Sequence, residues 1–154
     1  LRISNEKLDE MFDAVGVWKP KLHECLRTMG TEHLFDQRMK DMWKPEFPTI
    51  NYCYTVCEFV YWYVCQGTTA WDIRTTDIPS TPGIKHWFLR RQDGMIVDLT
   101  ADQFDNHEEI NYNDSKRSGF IQSGCIGPSK RARFLASLMG YDDDSWKQPV
   151  STLF

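Results

Sequence analysis

Cys53, His86 and Asp98, in that chain order, are the residue types that thiol catalysis uses. Such chemistry needs a thiolate, an imidazole that stabilises it and moves protons, and a third group that fixes the ring's tautomer and orientation. The three types are common, so their positions carry the weight. Cys53 follows the proline-rich entry Pro45-Glu46-Phe47-Pro48 and falls in the first turn of an expected helix. Unsatisfied backbone N–H groups there favour thiolate over thiol. His86 and Asp98 fall on two strands of an expected hairpin.

The helix is the stretch from Asn51 to Gln66, ended by Gly67. Its apolar residues fall on every side at helical spacing and Glu58 is its only charge, so it reads as a central helix buried nearly all round. Cys53, Cys57 and Cys65 also suit the plainer role of small apolar fillers in a packed core. Cys57 is the competing nucleophile, one turn deeper on the same face, but its distance from the helix start leaves it less help from the dipole. Glu58 needs a partner if buried, and Arg131 or Arg133 is a candidate.

Asp93-Gly94 stands between two apolar runs, a strong hairpin signal. A two-residue loop there sets residue 89 opposite 98 and puts His86 and Asp98 on opposite faces. A three-residue loop, Gln92-Asp93-Gly94 with Gly94 left-handed, sets 88 opposite 98 and puts them on one face. The second register sorts the side chains better: Trp87, Leu89, Met95, Val97 and Leu99 share an apolar face, while His86, Phe88, Arg90, Ile96, Asp98 and Thr100 share the other. His86 and Asp98 are then diagonal neighbours, with Cα atoms roughly 7–8 Å apart, within reach of each other.

The remaining elements position these two. Helices are expected over residues 4–14 (Leu8, Met11, Phe12; stopped by Gly16), from near Pro20 to Gly30 (Leu22, Cys25, Leu26, Met29), and from a Thr31 cap onward (Leu34, Phe35, Met39, Met42). Residues 68–76 read as a strand and 77–83 as a loop. Ala101 to Asn113 is polar and loop-like, with Gln103-Phe104 folding back and His107 exposed; 118–122 reads as a short strand. Ser129 caps a last helix that Gly140 ends, carrying Phe134, Leu135, Leu138 and Met139. His23 and His33 read as surface or boundary histidines. The expected organisation is one α+β domain over 1–154: a helical layer (1–44), a core (48–140) and a loosely held tail (141–154).

At 154 residues the chain can bury a core without staples, and its 26% charged and 14% aromatic residues are those of a globular domain. A net charge of -4 argues against general affinity for nucleic acid. The basic group Lys116, Arg117, Lys130, Arg131 and Arg133 reads first as a solvated face, with contact to phosphate or an acidic partner as the alternative. No apolar run is long enough to span a bilayer and the first residues lack a signal-peptide core, so the expectation is a cytosolic protein, away from membranes, with free thiols.

A cysteine at a helix start, then His86-Trp87-Phe88-Leu89, then Ile96-Val97-Asp98-Leu99-Thr100, resembles the core of the transglutaminase-like branch of papain-like cysteine enzymes. More narrowly, residues 48–56, His86-Trp87, the run from Asp98 to Phe104 and Pro128-Ser129-Lys130-Arg131-Ala132 are similar to small bacterial and phage proteins of the YunG-like type. The resemblance spans about 48 to 135. It implies a papain-like or transglutaminase-like fold, with Cys53 as nucleophile, His86 as general base and acid and Asp98 as orienter. Where the family pattern has Gly-Gln or Gly-His before the cysteine, this chain has Asn51-Tyr52. Asn51 could supply an oxyanion donor, or the Cys53 N–H could act alone; Trp87 and Gln103 are the other substrate-side candidates.

These readings converge on thiol-dependent hydrolysis or acyl transfer at an amide or ester of a small-molecule or peptide substrate, requiring no cofactor. The alternative is a non-enzymatic binding protein on the same fold, a phage or bacterial modulator of a protein partner. A metal site would have to combine Cys53, Cys57, His86 and His107, and no C-x-x-C or H-E-x-x-H accompanies them.

Overall fold

In the computed structural model, residues 15–67, 70–104, 110–120 and 127–147 are described. The expected helix over 4–14 and the positions of His107 and Cys125 lie outside them. Helix α1 (Val15–Met29) runs through both Gly16, the expected stop, and Pro20, the expected start. Pro20 lies close enough to the helix start that its missing N–H removes one bond, to the Gly16 carbonyl. Leu22, Cys25, Leu26 and Met29 are buried along one face, and Gly30 (φ 59°) ends the helix with its N–H on the Leu26 carbonyl.

Thr31 caps nothing: a turn intervenes and the short helix α2 (Gln37–Met42) starts instead at Asp36, whose carboxylate accepts from the Met39 N–H at 2.8 Å. An aspartate at the N-cap accepts that bond and suits the dipole better than threonine.

The central helix is in two parts. Helix α3 (Cys53–Phe59) is followed without a break by a π-helical turn (Val60–Val64), after which Gln66 (φ 53°) and Gly67 (φ 66°) turn the chain. Ten residues from Cys53 to Cys65 are buried, and α3 packs on β2 and on helix α4 (Lys130–Leu138).

The sheet is antiparallel, in the order β3-β2-β1-β4: β1 (Trp71–Asp77), β2 (Lys85–Arg91), β3 (Ile96–Val97) and β4 (Lys116–Arg117). Helices on one side of a small antiparallel sheet make the fold α+β. Leu89 lies opposite Val97 and Arg90 opposite Ile96, the register of a three-residue loop, with Gly94 at φ 92°. Of the expected strand over 118–122, residues 121 and 122 lie outside the described residues and 118–120 form no strand; β4 comes just before them, pairing Arg117 with Arg74, and Ser118 adds a bond to the Ile73 carbonyl.

Trp87, Leu89, Met95, Val97 and Leu99 all join the main core. The second face is buried as well. Phe88 meets Tyr112 edge-on (ring centroids 4.9 Å) and His86 meets Phe104 edge-on (5.0 Å), so Phe104 and Tyr112 cover this face of the sheet.

Of the expected tail, 148–154 lies outside the described residues, while 141–147 is docked: Trp146 meets Trp62 edge-on at 5.5 Å, and the Tyr63 hydroxyl donates to the Asp143 carbonyl at 3.1 Å. No helix among the described residues is long and apolar enough to cross a membrane.

Candidate functional site

Cys53 is the first residue of α3, and Tyr52 before it provides no side-chain cap, so the first N–H groups of the helix are unsatisfied by any capping side chain. Residue Cys53 is 6% exposed, and that small area faces two clefts. Its thiol donates weakly to the Lys85 carbonyl at 3.7 Å.

His86, on β2, is 1% exposed. Its Nε2 meets Asp98 Oδ2 at 2.6 Å, which puts the proton on Nε2 and turns Nδ1 away from the carboxylate. Nδ1 is buried and has no hydrogen-bond partner among the described residues. Burial pushes the imidazole pKa down, but the bond to Asp98, then the proximity of Cys53, and the charges of both, lift it to about 10.

Asp98 is held on both oxygens. Oδ2 also accepts from the Tyr112 hydroxyl at 2.8 Å, and Oδ1 accepts from the Thr100 N–H at 3.3 Å and its hydroxyl at 3.4 Å. A carboxylate with four donors cannot swing away from the ring it orients. Tyr112 was not among the sequence candidates; a tyrosine isolated in a polar stretch was its only signal.

The other candidates have different duties. Asn51 sits at φ 64°, and its amide Nδ2 donates to the Met39 carbonyl at 3.0 Å, so the side chain braces α2 rather than offering an oxyanion donor. Gln103 accepts from the Asn51 N–H at 3.1 Å and donates to the Thr100 carbonyl at 3.0 Å. It ties the turn before Cys53 to the segment after Asp98 and so fixes the cysteine's approach to the His–Asp pair. Trp87 is on the opposite side of β2 from His86, in edge contact with Tyr54 (4.7 Å) and stacked on Phe120 (6.0 Å).

The two clefts share Asn51, Cys53, Ile84 and Lys85, so Cys53 stands where they meet. One, of about 260 Å³, holds His86, Gln103, Phe104 and the apolar side chains of Met42, Ile50 and Ile78. The other, of about 470 Å³, is walled by Phe35, Met39, Tyr54 and Trp87, with Arg131 at its side. A larger hollow of about 560 Å³, lined by Thr75, Asp77, Asn111 and Lys116, contains neither Cys53 nor His86.

Burial, then the neighbouring Cys53, Asp98, Cys65 and Glu58, pushes the Cys57 thiol pKa well up, which disfavours it as a competing nucleophile. Burial also raises Cys25 and Cys65. Glu58, wholly buried, does not take the expected arginines: its carboxylate accepts from the Ser129 N–H and hydroxyl, while Arg133 pairs with Asp143 at 3.6 Å and Arg131 lies over the Phe35 ring. The cap of α4 reached the acid at lower desolvation cost than a second buried charge would have. His23 is a boundary residue with a partner of its own, Asp102 at 2.8 Å.

Comparison with protein-family models, with curated proteins and with solved structures gave no match.

Proposed function

We propose that this protein is a thiol-dependent hydrolase or acyltransferase acting on an amide or ester bond, with Cys53 as nucleophile, His86 as general base and acid and Asp98 as the positioning residue. One observation carries the reading: a buried imidazole is locked by Asp98 through Nε2 while its second nitrogen stays unpaired, and it lines one cleft together with Cys53, which also opens onto a second. Leaving a buried nitrogen unpaired costs stability, and a role in exchanging a proton with Cys53 and the leaving group explains why the site tolerates that cost.

In the proposed reaction the proton of the Cys53–His86 pair already rests on His86, whose pKa is raised, and the thiolate sulfur attacks the carbonyl carbon. The Cys53 N–H, outside the helical ladder, is the donor the fold offers to the developing oxyanion. As the tetrahedral intermediate collapses, the C–N or C–O bond breaks and His86 gives its proton to the leaving group. Water or an amine then attacks the thioester and regenerates the thiol. Two clefts meeting at the sulfur suit a substrate with a group on each side of the scissile bond.

The test is site-resolved alkylation of the cysteines with iodoacetamide, followed by mass spectrometry across pH in wild type and His86→Ala. Rapid reaction of Cys53 alone below pH 7, lost in the variant, is the expected result. A Cys53 that reacts no faster than an ordinary thiol in both proteins would defeat this reading in favour of a binding protein on the same fold.

A further inference from the structure

The cleft on the Trp87 side of Cys53 has a chemical preference written into its walls. Phe35, Tyr54 and Trp87 line it in successive edge contacts, with ring centroids 5.4 Å and 4.7 Å apart. The guanidinium of Arg131 lies 3.7 Å over the Phe35 ring. Stacking occupies the face of a guanidinium and leaves its N–H edge available for a planar, two-point contact.

Among the described residues no Asp or Glu lines this cleft, and neither Arg131 nor the exposed Lys85 on its rim forms an ion pair. Several lysines are likewise without an ion pair, but among the described arginines Arg131 alone makes neither an ion pair nor a hydrogen bond. Arg90 and Arg117 reach Asp72, Arg91 reaches Asp93, and Arg133 reaches Asp143. Arg131 is also held in place from below, because Ser129, two residues before it, is anchored to the buried Glu58.

We infer that this cleft binds the free carboxylate and apolar side chain of an N-acylated aromatic or aliphatic amino acid, with Arg131 as the carboxylate partner. The inference rests on the proposed thiol chemistry for its orientation: the amino-acid half is the leaving group, and the acyl half occupies the apolar cleft beside His86. Cys53 Sγ bonds to the acyl carbon, the C–N bond breaks, and the amine leaves with the proton held by His86. Water then splits the thioester into a carboxylic acid and the free thiol, so no oxidant or reductant is needed.

Binding is measured first, by saturation-transfer NMR with N-acetyl-L-phenylalanine and its C-terminal amide, on wild type, Cys53→Ala, Arg131→Gln and Arg131→Lys. The acid should bind about tenfold more tightly than the amide in wild type and in Cys53→Ala. Arg131→Gln should abolish the preference while leaving the amide's affinity unchanged, and Arg131→Lys should restore part of it. Equal binding of acid and amide, no binding of either, or a preference that survives Arg131→Gln overturns the inference.

Labelling of Cys53 by N-chloroacetyl-L-phenylalanine, against its amide, then joins the cleft to the thiol, and the acid should label faster in an Arg131-dependent way. A carboxylate preference with a Cys53 inert to every electrophile would leave the cleft standing and remove the catalytic reading. A reactive, His86-dependent Cys53 without the preference would do the reverse.

Discussion

His86 and Asp98 face each other diagonally across β2 and the end of β3, Nε2 to Oδ2 at 2.6 Å, because the hairpin loop between them has three residues and not two. The loop length decides which face of the sheet each side chain occupies, and so whether the pair exists. Tyr112 shares Oδ2 with the imidazole at 2.8 Å, and Thr100 holds the other oxygen.

Asp98→Asn keeps the shape of that carboxylate and removes its charge and its power to fix the ring's proton. Cys53 alkylation at neutral pH should fall by roughly two orders of magnitude, as should any turnover that depends on it. Tyr112→Phe, which keeps the ring against Phe88, should cost only about 1 kcal/mol of stability and leave most reactivity intact. An Asp98→Asn protein as reactive as wild type would show that the pair is structural.

Stability should fall as pH rises, in part through His86. Its folded pKa is raised from 6.5 to about 10, so its contribution is fully present below about 6.5 and is lost as pH climbs through the folded value. Buried thiols and tyrosines with raised pKa values push the same way, because the unfolded chain ionises first. The informative quantity is therefore the difference between wild type and His86→Gln in urea midpoint. It should shrink between roughly pH 7 and 10; a constant difference would mean that the ring does not titrate in that window.

Ser129→Ala removes the hydroxyl that both caps α4, accepting from the Ala132 N–H at 3.3 Å, and donates to buried Glu58 at 2.8 Å. Loss of a cap together with loss of a donor to a buried carboxylate should destabilise by about 2–3 kcal/mol. Urea denaturation checks this. A loss within about 0.5 kcal/mol would mean that Glu58 is satisfied without the hydroxyl.

Gly94→Ala meets no atom within 4 Å, so only its φ of 92° opposes it. The substitution should cost about 1–2 kcal/mol, and Gly94→Asn should cost less. Thermal denaturation orders the three proteins, and a neutral Gly94→Ala would mean that the turn relaxes freely.

Asp93-Gly94 and the alternation around it carried the hairpin, its register and the shared face of His86 and Asp98, because side-chain period and turn chemistry agree there. The continuous apolar run after Asn51 carried the central helix. What patterns could not carry are contacts between distant segments. Nothing local says that Tyr112 will close over Phe88, that the Asn51 amide will be taken by the Met39 carbonyl, or that Glu58 will find Ser129. Pro20 differs for another reason: a proline is tolerated anywhere in the first turns of a helix, so it does not mark the first residue.

The π-helical turn Val60–Val64 has a consequence for how the chain can vary in length. Such a turn holds one residue more than the α-helix it interrupts. A deletion of a single residue there would let the helix revert to a plain α-helix and close its own gap, keeping both Cys53 and Gly67 at their stations. Elsewhere in the buried helix the same deletion would rotate everything beyond it by about a hundred degrees. The segment thus works as an expansion joint, where the chain can lose a residue without disturbing the elements on either side.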